Sequence, residues 1–474
     1  MGKTKRLKEG YHVGGSEKWS YAMFFFGQNI IFALVAQNVH AFFSDIGITA
    51  AVVALILLIA RLWDAFSDPL IGVIIDKVKF KKGRFLPWIR ISIPFITIGC
   101  LLVFILPTVV PPALKVLFAI ITIILWDISF SLSDIPIYVL PSSMTENIKE
   151  RSGILGLGRY IAVIGIMLGM TMIPILQGRL GWIGVAVVFA ILCLITMLPL
   201  CFKAKERYIV RSEKPITIKQ MFGFLIRNKY LLLFYGAMFF SLVTNFAQTL
   251  NMFFARHNLG NQDMAGILGL ITMIPLIIVG AFIPVLLRRV DKYHIYFFAL
   301  IAMTVMSVVR FLVGYDNLAI FMILTGVQGL ISGVNGMLVF MFTPDCLEYG
   351  TYHTGVRSEG VAVSIQTFFN KLTASISGPI AMLVIGAFGF VAGEGAVQPD
   401  SAVTGIWMSM TLFTSIGTLI AVILLLFYKL REKDIQVMAQ YNNGEMSKDE
   451  AESLLAKRYG PAASLTEMSI TQNP

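Results

Sequence analysis

The chain reads as an all-α membrane protein, with twelve transmembrane helices arranged as two pseudo-symmetric six-helix bundles. Three observations predict this. Of its 474 residues 57% are hydrophobic and 14% charged, a balance unlike that of a soluble domain. The apolar residues fall into runs of about 20 or more, the length that crosses a hydrocarbon core. The basic residues gather in alternate connections between those runs, as in loops held on the cytoplasmic side. The net charge of +11 therefore points to an anionic lipid surface and away from nucleic acid.

In order, the first half offers spans at 18–42, 49–75, 86–106, 112–139, 153–176 and 182–203. The second half offers 229–255, 262–287, 293–313, 317–342, 358–387 and 402–429. Lys77, Lys79, Lys81, Lys82 and Arg84 follow the second span, and Lys149 and Arg151 the fourth. Lys203, Lys205, Arg207, Arg211, Lys214 and Lys219 follow the sixth, and Arg288, Arg289 and Lys292 the eighth. The intervening loops carry few basic groups, so both termini are expected in the cytoplasm of a multi-pass cell-membrane protein. The short basic N-terminus has no cleavable signal, which makes the first span a retained helix.

The longest basic connection divides the spans six and six. The expected organisation is an N-terminal bundle at 1–203, a cytoplasmic linker at 204–228, a C-terminal bundle at 229–429 and a cytoplasmic tail at 430–474. Two halves joined in this way suit a central site opened alternately to either side. In the tail a short helix is expected near 446–458, with disorder beyond it. Cys100, Cys193, Cys201 and Cys346 are scattered without disulfide or metal spacing and read as buried apolar residues.

The polar residues inside the spans carry the functional signal. Asp64 and Asp68 lie four apart in Arg61-Leu-Trp-Asp64-Ala-Phe-Ser-Asp68-Pro69, so a helix projects both from one face. Each carboxylate costs about 2.5–3.5 kcal/mol in the middle of a membrane helix, and the two repel. A small cation or proton between them, or a wet cavity, makes the arrangement tolerable. It reads as a cation-coupling site, the alternative being ion pairs that orient helices. Asp127 and Asp134 lie seven apart on the fourth span, with Ser131 and Ser133 between them to offer hydroxyl oxygen. Either acid has the alternative of bonding a neighbouring helix.

Arg159, two turns inside the fifth span, is placed to bond sugar hydroxyls or to meet Asp134. Gly165 and Gly169 form a helix-packing face. Lys371 lies too deep in the eleventh span for easy snorkelling, and serves as a movable charge or a fixed salt bridge. Thr244, Gln248 and Asn251 in the seventh span, and Gln328, Ser332 and Asn335 in the tenth, recur at helical spacing. They suit either a hydroxylated substrate or interhelical bonding. Gly72-Val-Ile-Ile-Asp76-Lys77, followed by Gly83-Arg84, resembles the cytoplasmic gate signature of the major facilitator superfamily.

Taken together and in order, these motifs resemble one family. Arg61 to Pro69, Ser131-Leu-Ser-Asp134-Ile-Pro136, Lys149-Glu-Arg151 with Arg159, and Asp345 through Arg357-Ser-Glu359 to Gln366-Thr367 and Lys371 are similar to the glycoside–pentoside–hexuronide:cation symporters. The resemblance implies a twelve-helix facilitator fold and cotransport of a glycoside with sodium, lithium or a proton. It makes Asp64 and Asp68, assisted by Ser131, the cation ligands, and Asp134 with Arg159 the pair that grips the sugar. Lys371 links the two sites, with Thr367 one turn before it. Asp76, Arg84, Arg151, Arg357 and Glu359 fall to coupling or gating. Two departures bear on specificity. A Lys-Asp pair that reads the galactosyl unit in galactoside carriers is here Gln28-Asn29, and a tryptophan four after the sugar-binding aspartate is Tyr138.

The expected function is a secondary active symporter, monomeric in the bilayer. It takes up a small saccharide with a monovalent cation, and needs no cofactor beyond that transported ion. Alternatives are a proton-coupled or exchange carrier for a hexuronide, pentoside or lysolipid, and a sugar sensor that does not transport. No nucleophile–base or metal constellation marks an enzyme.

Overall fold

A computed structural model describes residues 12–78, 80, 83–208, 225–226, 228–355 and 359–462. Among the described residues regular structure is helical, with no β-strand. Among the described residues nine helical stretches, some of them broken into two helices, are long and apolar enough to cross a membrane. Contacts gather the chain into two compact units. One comprises Met1–Glu213, Gln248–Leu270 and Gly378–Ile406, the other Lys214–Ala247, Ile271–Ser377 and Trp407–Pro474.

The first unit is built on α1 (Gly15–Asp45), α2 (Ala50–Lys77), α3 (Leu86–Val109), α4 (Lys115–Met144) and α5 (Ile148–Lys203). Helix α5 contains the fifth and sixth expected spans, separated where Gly181 takes φ 66° and ψ 174°. A side chain at that φ is strained, so glycine marks the break. Helix α1 lies along α5, and the expected glycine face is where they touch. A Cβ on Gly165 would stand 2.9 Å from the Phe26 carbonyl oxygen, and one on Gly169 2.7 Å from the Ala33 Cβ. Helix α2 packs on α4, which brings the two acid-bearing helices side by side.

Three acids, Glu206, Glu150 and Glu17, tie down the cytoplasmic ends expected for this unit. Glu206 accepts from the backbone N–H groups of Arg84, Phe85 and Leu86 at 2.8, 2.9 and 2.7 Å, satisfying the orphan donors at the start of α3. Glu150 receives Lys18 at 2.8 Å, the Thr145 hydroxyl at 2.8 Å and the His12 backbone N–H at 2.9 Å. Arg207 pairs with Glu17 at 2.9 Å, which anchors the start of the linker. Of the linker, residues 209–224 and 227 fall outside the described residues.

In the second half the expected seventh span is two helices, α6 (Lys229–Val243) and α7 (Ala247–His257), with the break at Thr244–Phe246. Then follow α8 (Met264–Leu287), α9 (Lys292–Val313), α10 (Leu318–Leu338), α11 (Phe342–Thr354) and α12 (Glu359–Ala387). The twelfth expected span is likewise divided at Thr411, into α13 (Asp400–Met410) and α14 (Leu412–Leu426). The core of the second unit gathers Phe234, Tyr235, Tyr296, Phe342, Tyr352 and Tyr428.

The tail is more structured than the sequence reading expected. Helix α15 (Glu432–Asn442) was not anticipated, and α16 (Lys448–Tyr459) matches the expected short helix. Both pack on α11. His353 Nε2 lies 2.6 Å from the Tyr459 carbonyl oxygen, and the Asn442 amide donates to Glu348 at 2.8 Å. Tyr441, Leu455 and Tyr459 are buried there. Residues beyond 462 are outside the described set.

Candidate functional site

The α2–α4 contact brings together the residues expected to hold the cation. The Ser131 hydroxyl donates to Asp68 Oδ1 at 2.7 Å, a short charge-assisted bond between helices 63 positions apart. The backbone direction at Asp64 and Asp68 sets both on the same helical face, as the spacing required. Arg61 Nη1 stands 3.5 Å from Asp64 Oδ2, at the outer limit of a hydrogen bond, and the Asp64 side chain remains 31% exposed. Arg61 therefore does not enclose that carboxylate. Among the described residues no three His, Cys, Asp or Glu side chains converge closely enough to hold a metal ion. Two carboxylates and one hydroxyl offer hard oxygen donors, the kind that suits an oxygen-liking cation.

One turn further along α4 the second half of the site begins. Gln28 Nε2 donates to Asp134 Oδ1 at 3.2 Å and to Ser133 Oγ at 3.1 Å. Its own Oε1 is buried without a partner among the described residues, an acceptor left for a hydroxyl. Tyr138 lies exposed beside this pair. Phe25 meets its ring edge-on, with centroids 5.3 Å apart, and the Arg159 guanidinium lies 5.7 Å from its centre. Arg159 thus stands over the tyrosine and not in an ion pair with Asp134. Behind it, the Tyr21 hydroxyl is spent on the Ile137 carbonyl at 3.0 Å, which fixes the aromatic wall. Gly158 admits that wall, since a Cβ there would come within 2.8 Å of Tyr21.

Asn29 turns its amide back to the Phe25 carbonyl of its own helix at 2.9 Å. Thr367 and Lys371 are exposed on α12, in the second unit. Arg84 contributes its backbone N–H to Glu206, and Arg151 its backbone N–H to Asn147. Arg357 lies outside the described residues, as do the side chains of Asp76 and Glu359.

Sequence reasoning missed one polar cluster of the first unit. Asp45, at the C-terminal end of α1, accepts from Trp182 Nε1 at 2.8 Å and from Arg256 Nη1 at 2.5 Å. Arg256 also donates to Gln262, which bonds the Pro174 carbonyl and Gln177. His40 faces the Thr249 carbonyl oxygen at 2.6 Å. Each of these residues looks like an ordinary loop or helix-end group alone. Only their convergence distinguishes them.

The geometry is a set of polar side chains on apolar helices, with carboxylates, hydroxyls and an amide adjacent to one another. Comparison with known proteins agrees. A family model described as MFS/sugar transport protein matches residues 20–432. The chain is 28% identical over 447 residues to the isoprimeverose transporter of Lactiplantibacillus pentosus, covering 90% of this chain and 91% of that one. It is 26% identical to the glucuronide carrier protein homolog of Escherichia coli (strain K12), covering 88% and 93%. Among solved structures, the nucleoside transporter NupG superposes with a TM-score of 0.65 at 14% identity, covering 87% of this chain and 99% of that one, a likeness of fold alone. With the family model spanning most of its length, the chain belongs to the MFS sugar transport proteins and, within them, to the glycoside–pentoside–hexuronide symporters, membrane transporters and not enzymes.

Proposed function

We propose that the protein is a secondary active symporter that couples inward movement of a monovalent cation, sodium or alternatively lithium or a proton, to uptake of a small glycoside. The single observation that carries this reading is the Ser131–Asp68 bond, three residues from Asp134 on the same helix. The ion half and the sugar half then share α4, about 4.5 Å apart along its axis. An ion between Asp64 and Asp68 offsets their repulsion and reorders the Ser131 hydroxyl, which shifts α4 and with it Asp134. A sugar bonded by Asp134 and the free Gln28 oxygen, stacked on Tyr138, favours the same arrangement of α4. Each ligand thereby strengthens the other, and the coupling is reciprocal.

Loading also explains alternation between two six-helix bundles, the organisation proposed here for 1–203 and 229–429. A buried carboxylate without its counter-ion opposes closure around it, so sugar alone does not drive reorientation, while the carrier loaded with both ion and sugar reorients readily. The basic loops after alternate spans support placing both termini in the cytoplasm. Monomeric transport is part of the proposal, since each chain carries the whole site.

A hexuronide is the second reading, favoured by Arg159. Its guanidinium is exposed over Tyr138, where a sugar carboxylate would find a bidentate partner, and one relative is a glucuronide carrier homolog. A panel of labelled glycosides and glucuronides, assayed in proteoliposomes with inward sodium, lithium or proton gradients, tests both readings. Accumulation of one sugar class under one gradient supports symport. Equal flux with and without every gradient contradicts it.

A further inference from the structure

Asp127 belongs to neither half of the site just described. It lies one helical turn before Ser131 on α4, about 6 Å along the axis and on the same face. Only 7% of the residue is exposed. Among the described residues its carboxylate makes no hydrogen bond and no salt bridge. It stands within electrostatic reach of Asp64, Asp68 and Arg61. A buried acid is ordinarily satisfied by a donor or a counter-ion. Asp127 has neither of its own, and two of the three charged groups it feels carry its own sign.

A structural role would give it a partner hydroxyl or amide across the α2–α4 contact, and none is there among the described residues. What such an acid lacks is positive charge, and under the function proposed above positive charge arrives beside Asp68 and Ser131. The acids do not converge on one point at metal-ligand distance. Asp127 therefore acts through its field and not by direct coordination. We propose that Asp127 is a specificity-determining third carboxylate of the cation site, which sets how tightly the ion is held and which ion is preferred. The proposal rests on the cation-site reading of Asp64 and Asp68. A stronger anionic field attracts any cation more, and favours the smaller ion over the larger.

The test is equilibrium binding of radioactive sodium to the purified full chain by scintillation proximity, with lithium as competitor and choline keeping ionic strength constant. Asp127→Asn is expected to raise the half-saturating sodium concentration by about tenfold or more, as loss of a unit charge at this range implies. It is also expected to weaken lithium competition by a larger factor than sodium binding. Asp127→Glu restores both within about threefold, because the charge returns while the helix position is unchanged. Rescue by glutamate separates charge from packing. The proposal is overturned if D127N binds sodium within twofold of the native protein with an unaltered lithium preference, or if D127E is as weak as D127N. Asp68→Asn distinguishes the two levels: loss of binding in D68N with full binding in D127N rejects Asp127 alone. Full sodium binding in D68N, or none in the native protein, rejects the cation site itself.

Discussion

Asp45 and Arg256, 211 positions apart in sequence, meet in an ion pair at 2.5 Å, and the Trp182 indole N–H bonds the same carboxylate from a third helix. The pair ties the end of α1 to α7 within the first compact unit. The Asp45 side chain is 6% exposed and that of Arg256 20%, so removing one partner strands a largely buried charge.

Arg256→Gln is accordingly expected to lower stability by about 1–3 kcal/mol, and Asp45→Asn combined with it to cost less than the sum of the two. Thermal unfolding in detergent reads this directly. Additive losses would mean the two residues act independently. In the same variants a cysteine placed at Thr249, whose carbonyl faces His40, should label faster with an impermeant thiol reagent, because α7 is held less firmly against α1.

Removing the Ser131 hydroxyl probes the bond that joins the site. Ser131→Ala is expected to weaken cation dependence of uptake about tenfold, the worth of one hydrogen bond to a charged group, while leaving counterflow of sugar measurable. Sodium-activation curves in proteoliposomes give the answer. An unchanged activation constant would place the ion elsewhere than beside Asp68.

Helix α3 depends on a residue 120 positions away. Glu206→Gln weakens three backbone bonds at its first turn, and about 1–2 kcal/mol of stability should be lost, in the range of a helix cap. A melting curve measures it, and an unaltered midpoint would show that water replaces the carboxylate at no penalty.

The glycine contact between α1 and α5 makes an internally controlled test. Gly165→Ala forces a Cβ to 2.9 Å from a backbone oxygen, whereas Gly153 has nothing within 4 Å of the same added atom. Overpacking should cost G165A about 1–3 kcal/mol while G153A stays neutral or gains slightly from helix propensity. Equal melting temperatures would mean that the helices separate without penalty.

These particulars show what the sequence made legible. The apolar runs, Gly165 and Gly169, and the spacing of Asp64, Asp68 and Ser131 were readable because each follows a helical period or a bilayer length. The breaks at Thr244–Phe246 and Thr411 were not, since neither glycine nor proline marks them and the hydropathy runs on without interruption. Helix α15 escaped notice because its amphipathic face has no partner until α11 is folded beneath it. The Asp45–Arg256 contact and the Glu206 cap rest on pairs far apart in sequence, which no local pattern encodes. Arg159 is a further case. Its position in the fifth span was evident, but its choice of Tyr138 over Asp134 depends on side-chain geometry.

The most direct measurement of the central claim is accumulation of a labelled transported sugar in proteoliposomes under an imposed cation gradient, native protein against Asp68→Asn. The account predicts that the native carrier concentrates sugar above equilibrium, and that D68N loses this accumulation while still exchanging sugar for sugar. Accumulation by D68N equal to that of the native protein would contradict it.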